Sequence, residues 1–113
     1  MSSYGSILKK VHRPDVTVIA VSKQRTLEEI KTAYDEGCRD FAENRIPEAL
    51  EKISKLPADI NWHFIGTLQK NKVNKAIGQF ALIHSVDTPE LAEKIARSSE
   101  TAGLITSILL QAN

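Results

Sequence analysis

The sequence predicts an α/β fold built on a parallel sheet, and three observations support this prediction. Short apolar runs rich in β-branched residues alternate along the chain with segments of helical periodicity. The first run is apolar on both strand faces, as expected for a strand buried in a parallel sheet. Each helical segment is long enough to return the chain to the edge where the preceding strand began, so consecutive strands should run in the same direction.

The first two strand and helix units are clear from local signals. Residues 16–21 form the first apolar run, and Thr26 and Glu29 then have the spacing of a capping box that opens a helix. Gly37 is placed to end this helix. Residues 39–43 predict the second strand, and the helix after it has Pro47 near its start and Pro57 as its stop.

Three more strands are predicted at residues 62–65, 81–86 and 105–110. A short, lysine-rich helix should cover residues 71–77, and Pro89 and Gly103 should bound a longer one. Five strands in this pattern are compatible with two architectures. One is an open, doubly wound sheet, and the other is a (β/α) barrel, which needs about eight strands. No GxGxxG turn follows the first strand, which disfavours a dinucleotide site there.

Composition limits the compartment and the partners. The 113 residues carry a net charge of +1 with the lysines spread along the chain, which disfavours nucleic acid and anionic membranes as partners. Cys38 is the single cysteine, so no internal disulfide can form, and no stretch approaches the roughly 20 apolar residues of a membrane span. We therefore expect one globular unit over residues 1–113, located in the cytoplasm.

Lys23 is the candidate nucleophile. It closes an otherwise apolar strand, and alternation places it on the same face as Val21 and Ile19. Ligands of α/β folds bind at the carboxyl ends of strands, where screening from water favours the neutral amine that attacks an aldehyde. The ordinary alternative is a lysine that reaches solvent at a strand edge, and periodicity alone does not separate the two.

Other polar residues lie in or after the later strands: Asn44, His63, His84, Ser85, Asp87 and Asn113. Asn44 and Asp87 are placed where they could simply cap the following helices. His63 and His84 lie inside strands and are interpreted as hydrogen-bonded core residues rather than ligands, and no acidic or cysteine partner has metal-site spacing. We therefore predict no metal site, and no hydrolase triad is recognisable.

Four short sequence motifs resemble those of a known family: AVSK at residues 20–23, EN at 43–44, WHFIG at 62–66 and HSVD at 84–87. Their order and spacing closely resemble the pyridoxal phosphate homeostasis protein family from about residue 15 to residue 113. That family is a single-domain TIM barrel similar to the barrel domain of bacterial alanine racemase. The resemblance implies that the chain is the amino-terminal portion of a (β/α)8 TIM barrel, covering about the first five strands.

The resemblance also implies a cofactor and its site. Lys23 would hold pyridoxal phosphate as an imine (a Schiff base), and Asn44, His63, Ser85 and Asn113 would line the ring or its surroundings. The family is thought to buffer and deliver the cofactor without an agreed turnover, so we expect a non-catalytic carrier with no catalytic residue to assign. Two alternatives stay open: a racemase-like enzyme in which Lys23 also moves the α-proton of an amino acid, and a non-binding barrel fragment.

The chain also departs from the family. The family continues through three more strand and helix units, which supply the phosphate site and a basic residue near the pyridine nitrogen, so we expect weaker cofactor binding here. Open edges at the first and fifth strands predict self-association or pairing with a missing carboxyl-terminal half. Arg45, Pro47 and Thr67 stand where other residues are more usual.

Overall fold

Strands and helices alternate in the computed structural model, which describes residues 17–110. The alternation predicted from the sequence is therefore confirmed. A single turn of 3-10 helix, Lys70–Lys72, precedes the third helix. In chain order the elements are β1 Ala20–Val21, α1 Leu27–Asp35, β2 Asp40–Glu43, α2 Ile46–Lys55, β3 Asn61–Phe64, α3 Val73–Ala76, β4 Leu82–Val86, α4 Pro89–Ala102 and β5 Ile108–Leu110.

The strand order decides between the doubly wound sheet and the barrel. The strands form one sheet in the order β1-β2-β3-β4-β5, and every neighbouring pair is parallel. A doubly wound sheet needs a point at which the strand order reverses, and this sheet has none among the described residues. Sequential parallel order is that of a barrel wall, so the chain forms part of a (β/α) barrel.

Local capping signals mark the start of α1 and the end of α4 as predicted. The Thr26 side chain accepts a hydrogen bond from the Glu29 N–H, and Glu29 Oε1 accepts one from the Thr26 N–H, each at 3.1 Å. This is the predicted capping box at the start of α1. Gly103 ends α4 with φ 71°, a left-handed conformation that suits glycine.

The two outer strands are shorter than predicted. The strand expected at residues 16–21 is limited to Ala20–Val21, and the one expected at 105–110 begins at Ile108; residue 16 lies outside the described part. Among the described residues each outer strand has a neighbour on one side only, so pairing extends only as far as that neighbour reaches. Ile105, which was expected in the fifth strand, is instead 99% exposed.

The core lies between one face of the sheet and the helices. Phe41 and Trp62 pack with ring centroids 5.9 Å apart, and Phe64 packs against Phe80 at 5.2 Å. Buried aliphatic residues of the helices, among them Ile30 and Ala33 of α1, complete this cluster. The opposite face of the sheet, called the inner face below, carries a different set of side chains.

Candidate functional site

Strand register assigns residues to the inner face. Ala42 is paired with His63, and His63 with Leu82, so these three residues lie on the same face, while Phe41 and Phe64 lie on the core face. Val21 is paired with Ala42 and therefore also lies on the inner face. Lys23 follows Val21 by two residues, in the turn that leaves β1. The structure thus places Lys23 at the carboxyl edge of the sheet, as predicted.

The Lys23 side chain is exposed. The expectation that its amine is screened from water is wrong for the described residues, because they leave this part of the inner face uncovered. Gln24, the next residue, has φ 61°. A left-handed conformation costs a residue with a Cβ about 1–2 kcal/mol, so other contacts must hold this turn. Lys23 and Gln24 line a cavity of about 380 Å³ at this edge, together with Val21 and Arg25.

A buried ion pair lies on the core side of the same turn. The Glu43 side chain is fully buried, and its Oε2 accepts hydrogen bonds from the Ser22 hydroxyl and from Lys52 Nζ, the latter at 2.9 Å. Lys52 Nζ also donates to the Ser22 backbone carbonyl at 2.8 Å. The residue directly before Lys23 is therefore held through both its hydroxyl and its carbonyl.

Sequence reasoning missed Lys52. The prolines that bound this helix say nothing about its faces, but Lys52 follows the buried Ala49 by three positions and therefore lies on the inward side of the helix. Its spacing from Glu48 also suggested an i,i+4 pair, which the structure contains at 3.1 Å. These two signals together identify a lysine with its ammonium group turned toward the sheet.

A chain of polar contacts crosses the inner face. His63 Nε2 lies 3.1 Å from Asp40 Oδ1, and His63 Nδ1 lies 3.3 Å from His84 Nε2. Because a carboxylate only accepts hydrogen bonds, the His63 Nε2–H donates to Asp40, and in a neutral ring Nδ1 then accepts from His84. The hydrogen bonds expected of the two histidines are confirmed, but both residues lie on the inner face of the sheet rather than in the core, so their interpretation as core residues is wrong. Burial, together with the neighbouring His63, lowers the pKa of His84.

Neither Asn44 nor Asp87 caps a helix. Arg45 is the N-terminal cap residue of α2 and Thr88 that of α4, and the Thr88 side chain accepts a hydrogen bond from the Leu91 N–H. The capping interpretation of both residues is therefore wrong. Asn44 is half-buried at the carboxyl end of β2, where the resemblance put a cofactor-binding residue.

Gly66 packs directly against Asn44. A Cβ at Gly66 would lie 2.2 Å from the Asn44 carbonyl oxygen. This glycine is therefore required by close backbone approach between the ends of β2 and β3.

Ser85 interrupts the regular alternation of β4. It has φ 59°, and the pairing with β5 shifts between Ile83 and Val86. Ile83 and Val86 both belong to the core although they are three residues apart, which strict alternation forbids. Among the described residues, Gln24 and Ser85 are the two non-glycine residues with positive φ. Asn113, the remaining predicted site residue, lies outside the described residues.

A second cavity lies above β2 and β3 at the carboxyl edge. It measures about 360 Å³ and is lined by Asn44, Arg45, Ile46, Pro47, Phe64, Thr67, Gln69 and Lys72. The three departures from the family pattern, Arg45, Pro47 and Thr67, all line it. A larger cavity of about 460 Å³ lies away from this edge, between Ile77 and Lys94. We place the candidate site at the carboxyl edge, because Lys23 and Asn44 are there.

Other chemistries have little support in residues 17–110. No group of three or more histidine, cysteine or acidic side chains in this range could hold a metal ion. Cys38 is buried, and burial raises the pKa of its thiol, which does not suit a nucleophile. Within the same range no helix is both long and apolar enough to cross a membrane.

Two relatives with assigned names match nearly the whole chain. A Synechocystis protein named pyridoxal phosphate homeostasis protein is 48% identical over 112 residues, which cover 97% of this chain and 51% of that protein. A Schizosaccharomyces pombe protein of the same name is 35% identical over 111 residues, covering 96% of this chain and 47% of the relative. The chain thus spans about half the length of these relatives.

Solved structures agree with this match. PipY of Synechococcus elongatus with PLP bound has a TM-score of 0.89 at 39% identity, over 99% of this chain and 54% of PipY. The PipY structure without PLP gives a TM-score of 0.90 at 38% identity, over 99% and 53% of the two chains. Residues 5–113 match the family described as alanine racemase, N-terminal domain. The chain therefore belongs to the alanine racemase N-terminal domain family, as a partial barrel whose named relatives are pyridoxal phosphate homeostasis proteins.

Proposed function

We propose that the chain binds pyridoxal phosphate through Lys23 and serves intracellular pyridoxal phosphate homeostasis as a carrier rather than as an enzyme. The observation that supports this most is the position of Lys23, exposed in the turn after β1 at the carboxyl edge of a parallel barrel sheet. This edge is where ligands of such barrels bind. The relatives named pyridoxal phosphate homeostasis protein, and the PipY structure with PLP bound, support pyridoxal phosphate as the ligand.

The covalent step uses only the lysine amine and the aldehyde of the ligand. Lys23 Nζ in its neutral form attacks the aldehyde carbon, the carbonyl oxygen leaves as water, and a carbon–nitrogen double bond remains. Electron-sink chemistry belongs to pyridoxal phosphate itself, and a carrier does not need it. The reverse reaction is hydrolysis of the imine, so a lysine open to solvent suits reversible loading and release.

The cavity above β2 and β3, at the same carboxyl edge as Lys23, carries groups that suit an anionic ligand. Asn44, Gln69 and Thr67 bring polar groups to this cavity, and Arg45 and Lys72 bring two cations. Cations and amide groups are the usual partners of phosphate and of ring substituents. We propose Asn44 and Ser85 as residues beside the ring, together with Asn113.

His63 occupies a different place from the other proposed residues. It is buried on the inner face and is already hydrogen-bonded to Asp40 and near His84. We therefore propose that it acts through His84, which lies closer to the carboxyl edge along the direction of the strands. In this role His63 holds the His84 ring in place beneath the ligand.

Titration of the 113-residue chain with pyridoxal phosphate, followed by absorbance, tests the proposal. We expect an imine band that saturates in the wild type, is lost in Lys23→Ala, and is unchanged in Lys31→Ala. Lys31 is a matched control because it is an exposed lysine paired with Asp35 on α1, away from the site. An unchanged band in Lys23→Ala would refute the assignment of Lys23.

The same samples separate the carrier from the two alternatives. Absence of an imine band in wild-type protein would favour a non-binding barrel fragment. Racemisation of L-alanine by the loaded wild type, above the rate with Lys23→Ala, would favour a racemase-like enzyme. The carrier proposal predicts loading without racemisation.

A further inference from the structure

We propose that Glu43, Glu48 and Lys52 form a clamp that positions Lys23, and that the buried Lys52 is its central positioning residue. The importance of the clamp for ligand binding rests on the proposed function. Its mechanical role, holding the turn at residues 22–25 in one conformation, does not. None of the three side chains needs to touch the ligand. Lys52 and Glu48 hydrogen-bond to the backbone on either side of Lys23, and Glu43 holds Lys52 and the Ser22 hydroxyl.

Lys52 connects the three parts of the clamp. Its ammonium group has three N–H donors, and the structure gives it three acceptors: the Ser22 carbonyl, Glu43 Oε2 and Glu48 Oε1. Its side chain is only 8% exposed. No donor remains for water, so the position of the ammonium group is fixed by these contacts.

Glu48 extends the clamp to the other side of Lys23. Its Oε1 accepts a hydrogen bond from the Gln24 backbone N–H at 3.1 Å, in addition to the bond from Lys52. These two hydrogen bonds lower the pKa of the Glu48 carboxyl group. The residues before and after Lys23 are thus tied to the same helix, α2, through side chains one turn apart.

The conformation of the turn explains why a clamp is needed. Gln24 has φ 61°, which a residue with a side chain rarely adopts without support. The Gln24 N–H bond to Glu48 and the Arg25 N–H bond to the Ser22 carbonyl, at 3.0 Å, both stabilise this shape. The Ser22 carbonyl is the oxygen to which Lys52 donates, so Lys52 and the turn share one acceptor.

The energetics favour a positioning role over a purely stabilising one. A buried ion pair contributes little net stability compared with apolar residues of the same volume, because two charges must leave water. Here the cost is larger, since Glu43 Oε1 is buried with no hydrogen-bond partner among the described residues. What the pair supplies instead is directional contact with the backbone beside Lys23.

The test compares Lys52→Met, which keeps the buried stem but removes the ammonium group, with Lys55→Met on the same helix. Lys55 is 53% exposed and pairs with Glu51, so it is a matched control outside the clamp. Amide hydrogen exchange at Gln24 and Arg25 measures the turn without any ligand. Imine formation with pyridoxal phosphate, and the share of borohydride-trapped adduct on Lys23, measure the consequence.

We expect faster exchange at both amides in Lys52→Met, with α4 unchanged. Imine formation should slow by about tenfold to a hundredfold, as for a reacting group displaced by about 1 Å, and adducts should spread to other lysines. Lys55→Met should match the wild type in every measurement, and Lys52→Arg, which keeps donors and charge, should recover part of the selectivity for Lys23.

Two outcomes separate the clamp from the proposed function. If the wild type forms no imine but Lys52→Met still loosens the two amides, the ligand assignment fails and the clamp stands. If both amides and the selectivity for Lys23 are unchanged in Lys52→Met, the clamp is refuted. Should Lys52→Met not fold, Glu48→Ala replaces it, because the Glu48 side chain is 32% exposed and its loss frees the Gln24 N–H without opening the core.

Discussion

Replacing Gly66 with alanine perturbs the packing between the ends of β2 and β3. The added Cβ would lie 2.2 Å from the Asn44 carbonyl oxygen and 2.9 Å from the Asn44 carbonyl carbon and Cα. Ordinary van der Waals contact begins near 3.4 Å, so the segments that contain Asn44 and Gly66 would have to separate by about 1 Å. All three neighbouring atoms are backbone atoms of the residue that directly follows β2, and backbone atoms cannot rotate away as a side chain does.

The expected cost follows from this geometry. Overpacking of a well-packed region costs about 1–3 kcal/mol, and the lack of a flexible neighbour places Gly66→Ala near the upper end, at about 3 kcal/mol. The separation would also strain the hydrogen bond from the Ile65 N–H to the Glu43 carbonyl, which is 2.9 Å long.

Urea unfolding followed by the fluorescence of Trp62 measures this cost. Trp62 is the single tryptophan of the chain and is buried in β3, next to the perturbed region. Gly103→Ala is the control. Its φ is 71°, but apart from its neighbours along the chain no atom of residues 17–110 lies within 4 Å of the added Cβ, so this variant carries only the backbone cost of about 1–2 kcal/mol. A Gly66→Ala variant no less stable than Gly103→Ala would refute the reasoning.

Two further predictions concern pH and association. The pKa of His84 is lowered from 6.5 by burial, so the unfolded chain takes up this proton first, and the free energy of unfolding should fall as pH drops from 6.5 through the lower folded pKa. Urea titrations over this pH range should show that the free energy of unfolding of His84→Gln depends less on pH than that of the wild type. An equal pH dependence in the two proteins would contradict the role given to His84. Leu109, 49% exposed on an outer strand, should promote self-association that Leu109→Lys reduces, and light scattering that finds only monomer at all wild-type concentrations would contradict this.

Much of the fold was predictable because its signals are local. The capping box at Thr26 and the terminating Gly103 depend on residues a few positions apart, and both were placed correctly. The lengths of the outer strands were not predictable in this way, since a strand extends only where a neighbour pairs with it. The choice of a barrel over a doubly wound sheet likewise needed the strand order.

The same distinction between local and long-range signals applies to the candidate site. Alternation placed Lys23 at the carboxyl edge, because it requires only the strand that precedes it. The contact between Asp40 and His63 depends on the register between two strands, and the buried pair of Glu43 and Lys52 depends on how α2 lies over β2. Neither distance can be obtained from the spacing of residues along one segment.

Borohydride reduction of the 113-residue chain after incubation with pyridoxal phosphate, followed by peptide mapping, tests the central claim most directly. Reduction converts the carbon–nitrogen double bond into a stable single bond and fixes the ligand on the lysine that held it. Because Lys23 is the proposed nucleophile, we predict one dominant adduct, on the peptide that contains Lys23. An adduct on Lys70 or Lys72 with Lys23 unmodified, or no adduct at all, would contradict the claim.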